Sequence, residues 1–242
     1  MTQLWLWIGF IGMCIGSVIF AAKSAASRRK EGMEFHLVSF FITLLAATLY
    51  LSMALGETRT MINGEDVFWG RYIDWLVTTP LLLLELGQVA GLRPKLLAGV
   101  MGADIFMILT GMIADFEAPP VAYLWYIISC GAFIAILWSL LTEFTASARR
   151  RNGHINRLFI KLRNILMGLW IGYPIVWILG AEGINVLNIG VETLLYAVLD
   201  VSAKVGFGLV LSTAADSVLS QASRGVEETA HSYMASEGNY DR

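Results

Sequence analysis

VLDVSAKVGFGLVL, residues 198–211, puts Lys204 near the middle of the last long apolar segment of the chain, with Asp200 four residues before it. Four residues make about one helical turn, so both side chains leave the same helical face. An ammonium at bilayer depth is costly and persists where it is paired or chemically used. A lysine amine can condense with an aldehyde to a Schiff base. The protonated imine then needs a carboxylate counter-ion, for which Asp200 is the first candidate.

Composition sets this segment in a membrane. Hydrophobic residues make up 57% of the 242 and charged residues 15%, against roughly 25% charged in soluble domains. Seven apolar stretches, at 4–22, 34–55, 67–88, 96–114, 120–143, 158–180 and 189–212, are each near the roughly 20 residues a spanning helix needs. The expectation is an all-α membrane protein with one seven-helix domain over 1–212. A polar cytoplasmic tail over 213–242, rich in Ser, Ala, Glu and Gly, is expected to follow it.

Cations mark alternate loops: Lys23, Arg28, Arg29 and Lys30, then Arg93 and Lys95, then Arg149, Arg150, Arg151, Arg157, Lys161 and Arg163. The other loops hold Arg59 among Glu57, Glu65 and Asp66, and then Asp115, Glu117 and Glu182. The positive-inside rule puts the N-terminus outside the cell membrane and the tail in the cytoplasm. Charges that follow the first span rather than precede it argue against a cleavable signal peptide. Cys14 and Cys130 fall inside spans and read as small buried hydrophobes. His36, His154 and His231, at membrane edges or in the tail, have no ligand spacing, so no metal is expected. The net charge of -2 says nothing about partners, since the uneven distribution of charge already reflects topology; the lipid bilayer is the expected partner, and no nucleic acid is expected.

Chemistry concentrates in FWGRYIDWLVTTPLLLLEL, residues 68–86. Arg71, Asp74 and Thr78 share one helical face, and Glu85 lies three turns farther along it, about 16 Å deeper. The third and seventh spans run in the same direction. The inward order is therefore Glu182 and Glu192, Arg71, Asp74 and Asp200 around Lys204, then Glu85, the layout of a proton relay. Any one of these groups could be a satisfied core ion pair; together they exceed what packing requires. LWIGYPIVWIL, residues 169–179, places Trp170, Tyr173 and Trp177 on one face, and Trp75 follows Asp74. Aromatic stripes are often plain packing. Here they come with the helix-interior Pro80 and Pro174, which kink helices and free carbonyls, and a long, flat, apolar cofactor would fit such a lining.

RYIDWLVTTPLLLLEL, LWIGYPIVWI and LDVSAKVGFG resemble the third, sixth and seventh helices of the microbial rhodopsins, specifically the bacteriorhodopsin-like members. The first two motifs are nearest to cyanobacterial branches, the cyanorhodopsins included, and the resemblance covers all seven spans. It implies all-trans retinal on Lys204 as a protonated Schiff base and a light-driven outward proton pump rather than an enzyme. By motif it makes Asp74 the proton acceptor, Asp200 the second counter-ion, Arg71 a gate outside them, Thr78 a partner of Asp74 and Glu85 the proton donor. Glu182 and Glu192 match the proton-release pair. Tyr50, Trp75, Thr79, Met107, Gly111, Ser129, Phe133, Trp170, Tyr173 and Trp177 match pocket positions, and Tyr173 is expected to hydrogen-bond Asp200.

Some positions depart from related branches. Leu49 stands where other pumps keep a histidine beside the acceptor, so Asp74 is expected to act as a free carboxylate. Tyr126 replaces the glycine of carotenoid-binding relatives, which would close the window for an antenna pigment. Asp104 matches a buried pocket aspartate whose expected role is structural hydrogen bonding. Family habit suggests a homo-oligomer, a trimer. A sensory rhodopsin signalling to a partner protein is the alternative, disfavoured by Glu85, since a sensor has less need of a fast internal donor. An anion pump would need a neutral residue at Asp74, and a sodium pump another acceptor pattern in the third span. A transporter with an unmodified Lys204 would be colourless.

Overall fold

The computed structural model describes residues 1–27, 30–62 and 65–213. Seven helices, Thr2–Ala26, Lys30–Leu55, Gly70–Ala90, Pro94–Phe116, Val121–Ala148, Gly153–Leu179 and Ile189–Thr213, account for the seven apolar stretches. Each is long and apolar enough to cross a membrane. Helices satisfy their own backbone polar groups, which hydrocarbon cannot do. Consecutive helices pack side by side and the seventh closes onto the first. The third is the most buried of the seven and the fifth the least, so the segment that carries Arg71, Asp74 and Glu85 stands at the centre of the bundle.

Several boundaries differ from those expected from the sequence. The third helix begins at Gly70 rather than 67, because Glu65–Val67 pairs antiparallel with Thr60–Ile62 in a short hairpin. The fourth helix runs on to Phe116, so Asp115 is a buried helical residue and not a loop residue. The sixth begins at Gly153, where the Asn152 side chain accepts from the Ile155 N–H; this cap starts the helix before the apolar run does. Arg157, Lys161 and Arg163 are therefore helical rather than in a loop. His36, expected at a membrane edge, is fully buried, with Nδ1 3.0 Å from Ser212 Oγ of the seventh helix. Arg28, Arg29 and the tail over 214–242, with His231, lie outside the described residues, as do the side chains of Lys30 and Glu65.

Two helices carry a π-helical turn, Leu140–Phe144 in the fifth and Ser202–Gly206 in the seventh. In the fifth, the Thr145 hydroxyl donates to the Leu140 carbonyl at 2.9 Å. The sixth helix breaks at Ile171, between Trp170 and Gly172. Pro174 lacks the N–H that would bond the Trp170 carbonyl, which explains the break.

The first helix shows how the bundle meets lipid and protein on opposite faces. Leu4, Ile8, Ile11, Ile15 and Val18 point outward, while Leu6, Gly9, Met13, Gly16 and Phe20 are buried. Between helices in lipid the hydrophobic drive is weak, and close backbone approach through small residues takes its place. A β-carbon on Gly12 would lie 3.1 Å from Val201 Cγ2, and one on Gly16 2.6 Å from Val205 Cγ2. One on Gly9 would collide with the Tyr50 ring. The stripe therefore holds the first helix against the second and seventh, beside Lys204.

Gly16→Ala should destabilise the bundle by about 1–3 kcal/mol through overpacking. Gly102→Ala, where nothing lies within 4 Å of the added carbon, should be neutral or stabilising by up to about 1 kcal/mol through helix propensity. Thermal unfolding followed by circular dichroism in micelles reads both, and equal midpoints for the two variants would contradict the packing assigned to Gly16.

Candidate functional site

Lys204 lies in the π-helical turn of the seventh helix and is buried. Its Nζ donates to Asp74 Oδ2 at 2.5 Å and to Asp200 Oδ1 at 2.8 Å. The wider turn aims the side chain so that carboxylates of two helices share one ammonium; such turns recur at functional sites. The two acids are not equivalent. Asp200 Oδ1 also accepts from Trp75 Nε1 and the Tyr173 hydroxyl, each at 3.0 Å, and Oδ2 accepts from the Tyr50 hydroxyl at 2.7 Å. Asp74 has Lys204 and the Thr78 hydroxyl, which lies 3.3 Å from Oδ1 and 2.8 Å from the Asp74 backbone carbonyl. A proton arriving on Asp200 would displace an existing donor, whereas Asp74 has capacity to take one.

Toward the Glu182 end of the bundle, Arg71 is buried, 3.5 Å from Glu192 Oε1 and with its guanidinium carbon 4.0 Å from the centre of the Tyr196 ring. Cation–π contact of this kind is stronger where water is excluded. Glu192 Oε2 accepts from the Ala181 N–H at 3.0 Å. Glu182 stands beside it. A β-carbon on Gly180 would lie 2.5 Å from Glu192 Oε2 and 3.0 Å from Glu182 Oε2, so glycine is what lets both carboxyls occupy this corner. Burial first, and then the charges of Asp115 and Glu192, push the Glu182 carboxyl up to about 9, partly offset by Arg71. Glu182 therefore holds a proton at neutral pH.

At the other end of the third helix, Glu85 is fully buried beside Leu82, Leu83 and Leu86. Ser39 of the second helix donates to its Oε1 at 2.7 Å, and its Oε2 has no partner. A carboxyl with one neutral donor in apolar surroundings is held more cheaply neutral than ionised. The expected column thus exists as geometry: Glu182 and Glu192, Arg71, the Asp74–Lys204–Asp200 centre, then Glu85.

An apolar cavity lined mainly by aromatic side chains lies beside this centre. Of the ten pocket positions expected from the sequence, Trp75, Thr79, Met107, Gly111, Ser129, Phe133, Trp170, Tyr173 and Trp177 line it. Tyr50 does not; it reaches the centre instead through Asp200. Trp75 and Tyr173 do both, lining the cavity and bonding Asp200, so the cavity and the lysine share walls. Tyr126 stacks on Trp177 at 4.4 Å between ring centres and donates to the Pro174 carbonyl. Asp104 accepts from Thr79 at 2.6 Å, consistent with a structural hydrogen bond. A flat polyene with an aldehyde end fits this set: an aromatic slot two of whose walls, Trp75 and Tyr173, bond the carboxylate that holds the buried amine.

Sequence reading missed Tyr72, Ile108, Pro174 and Tyr196 in the wall and treated Cys130, which also lines it, as mere packing. Tyr196 lies four residues before Asp200, so helical spacing could have placed it on the same face. Ser39 and Asp115 carried no such signal, since their partners are on other helices.

Comparison with known proteins identifies the family. The family model described as bacteriorhodopsin-like protein matches residues 1–218. A bacteriorhodopsin from Haloterrigena sp. (strain arg-4) is 44% identical over 215 residues, 86% of either chain. The crystal structure of a cyanorhodopsin from the cyanobacterium Calothrix sp. NIES-2098 is 70% identical, with a TM-score of 0.86 over 88% of this chain and 94% of that one. A cyanorhodopsin from Tolypothrix sp. NIES-4075 is 67% identical, with a TM-score of 0.88 over 92% and 97%. The chain belongs to the bacteriorhodopsin-like family of microbial rhodopsins, close to the cyanorhodopsins, and is a light-driven, retinal-binding protein of the lipid membrane.

Proposed function

We propose that this protein is a light-driven outward proton pump, with all-trans retinal held on Lys204. The observation that carries the reading is a set of buried carboxyls on both sides of Lys204, with Glu85 on the side away from Glu182 and Glu192. The arginine-rich end, with Arg93, Arg149, Arg150 and Arg151, is the cytoplasmic one by the positive-inside rule, and Glu182 then faces outside.

Held on Lys204 with Trp75, Trp170, Tyr173 and Trp177 around it, retinal would supply the light absorption and the light-driven isomerisation. The residues of the chain supply direction. Asp74 Oδ2, nearest to Nζ, takes the proton, while Asp200, saturated with donors, stays ionised. Once Asp74 is neutral, the charge of Arg71 is freed toward Glu192 and Glu182 and favours loss of the proton from Glu182 to the outer water. Glu85 returns a proton to Nζ from the cytoplasmic side, with the Ser39 hydroxyl stabilising the carboxylate left behind. Unlike environments for chemically similar carboxyls make the transfer one-way. Tyr126, filling the wall against Trp177, leaves no window for a carotenoid antenna, and the exposed apolar helix faces suit lipid or further copies in a homo-oligomer, with a trimer as the working model.

Illumination of cells making the protein with retinal should acidify the medium, and a protonophore should abolish the signal; an unchanged pH would favour signalling to a partner protein instead. Lys204→Ala should fold and stay colourless with retinal, and a stable visible band in that variant would remove Lys204 from the site. Asp74→Asn should shift absorption to the red, because the charge stabilising the cation at Nζ is gone, and should reduce transport to background. Glu85→Gln should leave colour and the proton transfer to Asp74 intact while slowing the return of the proton to Nζ. That delay should grow about tenfold per pH unit, as the supply becomes bulk protons, and azide should shorten it. Flash photolysis decides: a pH-independent, unslowed return would show that Glu85 is not the donor.

A further inference from the structure

Asp115 is a buried carboxyl in the last turn of the fourth helix, and the transport route above does not use it. Two donors from the cavity wall converge on it: Trp177 Nε1 at 2.5 Å and the Tyr72 hydroxyl. Both rings line the cavity. The remaining charged and titratable groups that face it come from three elements: Arg71 on the third helix, Glu182 in the loop after the sixth, and Glu192 and Tyr196 on the seventh. A carboxyl with only two neutral donors is an expensive filler for a buried corner. Asp115 bonds the aromatic wall on one side and faces the exit carboxyls on the other.

We propose that Asp115 is a third carboxyl of the exit cluster, a positioning residue that sets how tightly Glu182 holds its proton and makes that hold depend on where Trp177 and Tyr72 stand. The inference rests on the outward-pump reading. The indole and phenol donors determine how much negative charge Asp115 carries, and that charge opposes ionisation of Glu182. When Glu182 releases, its O–H bond breaks, the proton passes to outer water and a carboxylate remains; no other bond changes. A shift of the cavity wall thereby reaches the exit through Asp115 as well as through Arg71.

The test uses purified protein with retinal, a soluble pH dye and flash excitation across neutral and alkaline pH. In the unmodified protein, release should precede uptake up to about pH 9, where Glu182 becomes ionised at rest. Asp115→Asn keeps the shape and an acceptor oxygen, and should lower that limit by about one pH unit or more, a roughly tenfold weaker hold on the proton. Asp115→Glu should move the limit back toward the original. A light-induced infrared band in the carboxyl region should vanish in the Asn variant alone. An unmoved limit in a coloured Asp115→Asn protein overturns the assignment. Should that variant not form pigment, Trp177→Phe, which removes the indole N–H, must shift the limit, and failure to do so overturns it equally. Absence of light-driven acidification by the unmodified protein overturns the pump reading itself, whereas normal acidification with an unmoved limit overturns only the role of Asp115.

Discussion

One ammonium held between two carboxylates organises the centre of this protein. Lys204, Asp74 and Asp200 are all removed from water, and each alone would be a heavy penalty in a low-dielectric interior. Together they leave one net negative charge, which is met by donors from three helices, Tyr50, Trp75, Thr78 and Tyr173. Those donors fix the azimuth of the second, third, sixth and seventh helices about the lysine. Removing Lys204 would leave two buried carboxylates without a cation, so the polar centre constrains the bundle alongside its apolar packing.

The same donors create the asymmetry that function requires. Two aspartates lie within 3 Å of one nitrogen, yet only one has hydrogen-bonding capacity to spare. Beyond them the environments diverge: an arginine with two crowded carboxyls at one end, a lone glutamate with a serine at the other. No part of this depends on distance alone. What differs along the column is how many donors each oxygen already has.

The sequence made part of this legible, and the physical reason is periodicity. Arg71, Asp74, Thr78 and Glu85 lie on one helix, and Asp200 and Lys204 on another, so 3.6-residue spacing orders them without knowledge of packing. Contacts between helices were not legible, because they depend on how each cylinder is rotated against its neighbour. Ser39 with Glu85, and Trp177 with Asp115, are of that kind. Asp115 was misread as a loop residue because GMIADFEAPP looks polar and is followed by prolines, whereas the helix continues until its own carboxyl is buried. The paired strands Thr60–Ile62 and Glu65–Val67 are too short to show an alternation, and π-helical turns leave no compositional mark.

The turn at Ser202–Gly206 has a consequence for the register of the seventh helix. A π turn accommodates one residue more than the α path, and a residue is worth about 100° of rotation. The turn therefore works as an absorbed insertion. It lets the Glu192–Asp200 half face the charged interior at one azimuth while the half from Phe207 onward presents Phe207 and Leu211 to the core at another. Removing one residue there would restore a regular helix and turn one half against the other, so the apolar half and the charged half of this helix are matched to different neighbours by a single extra position.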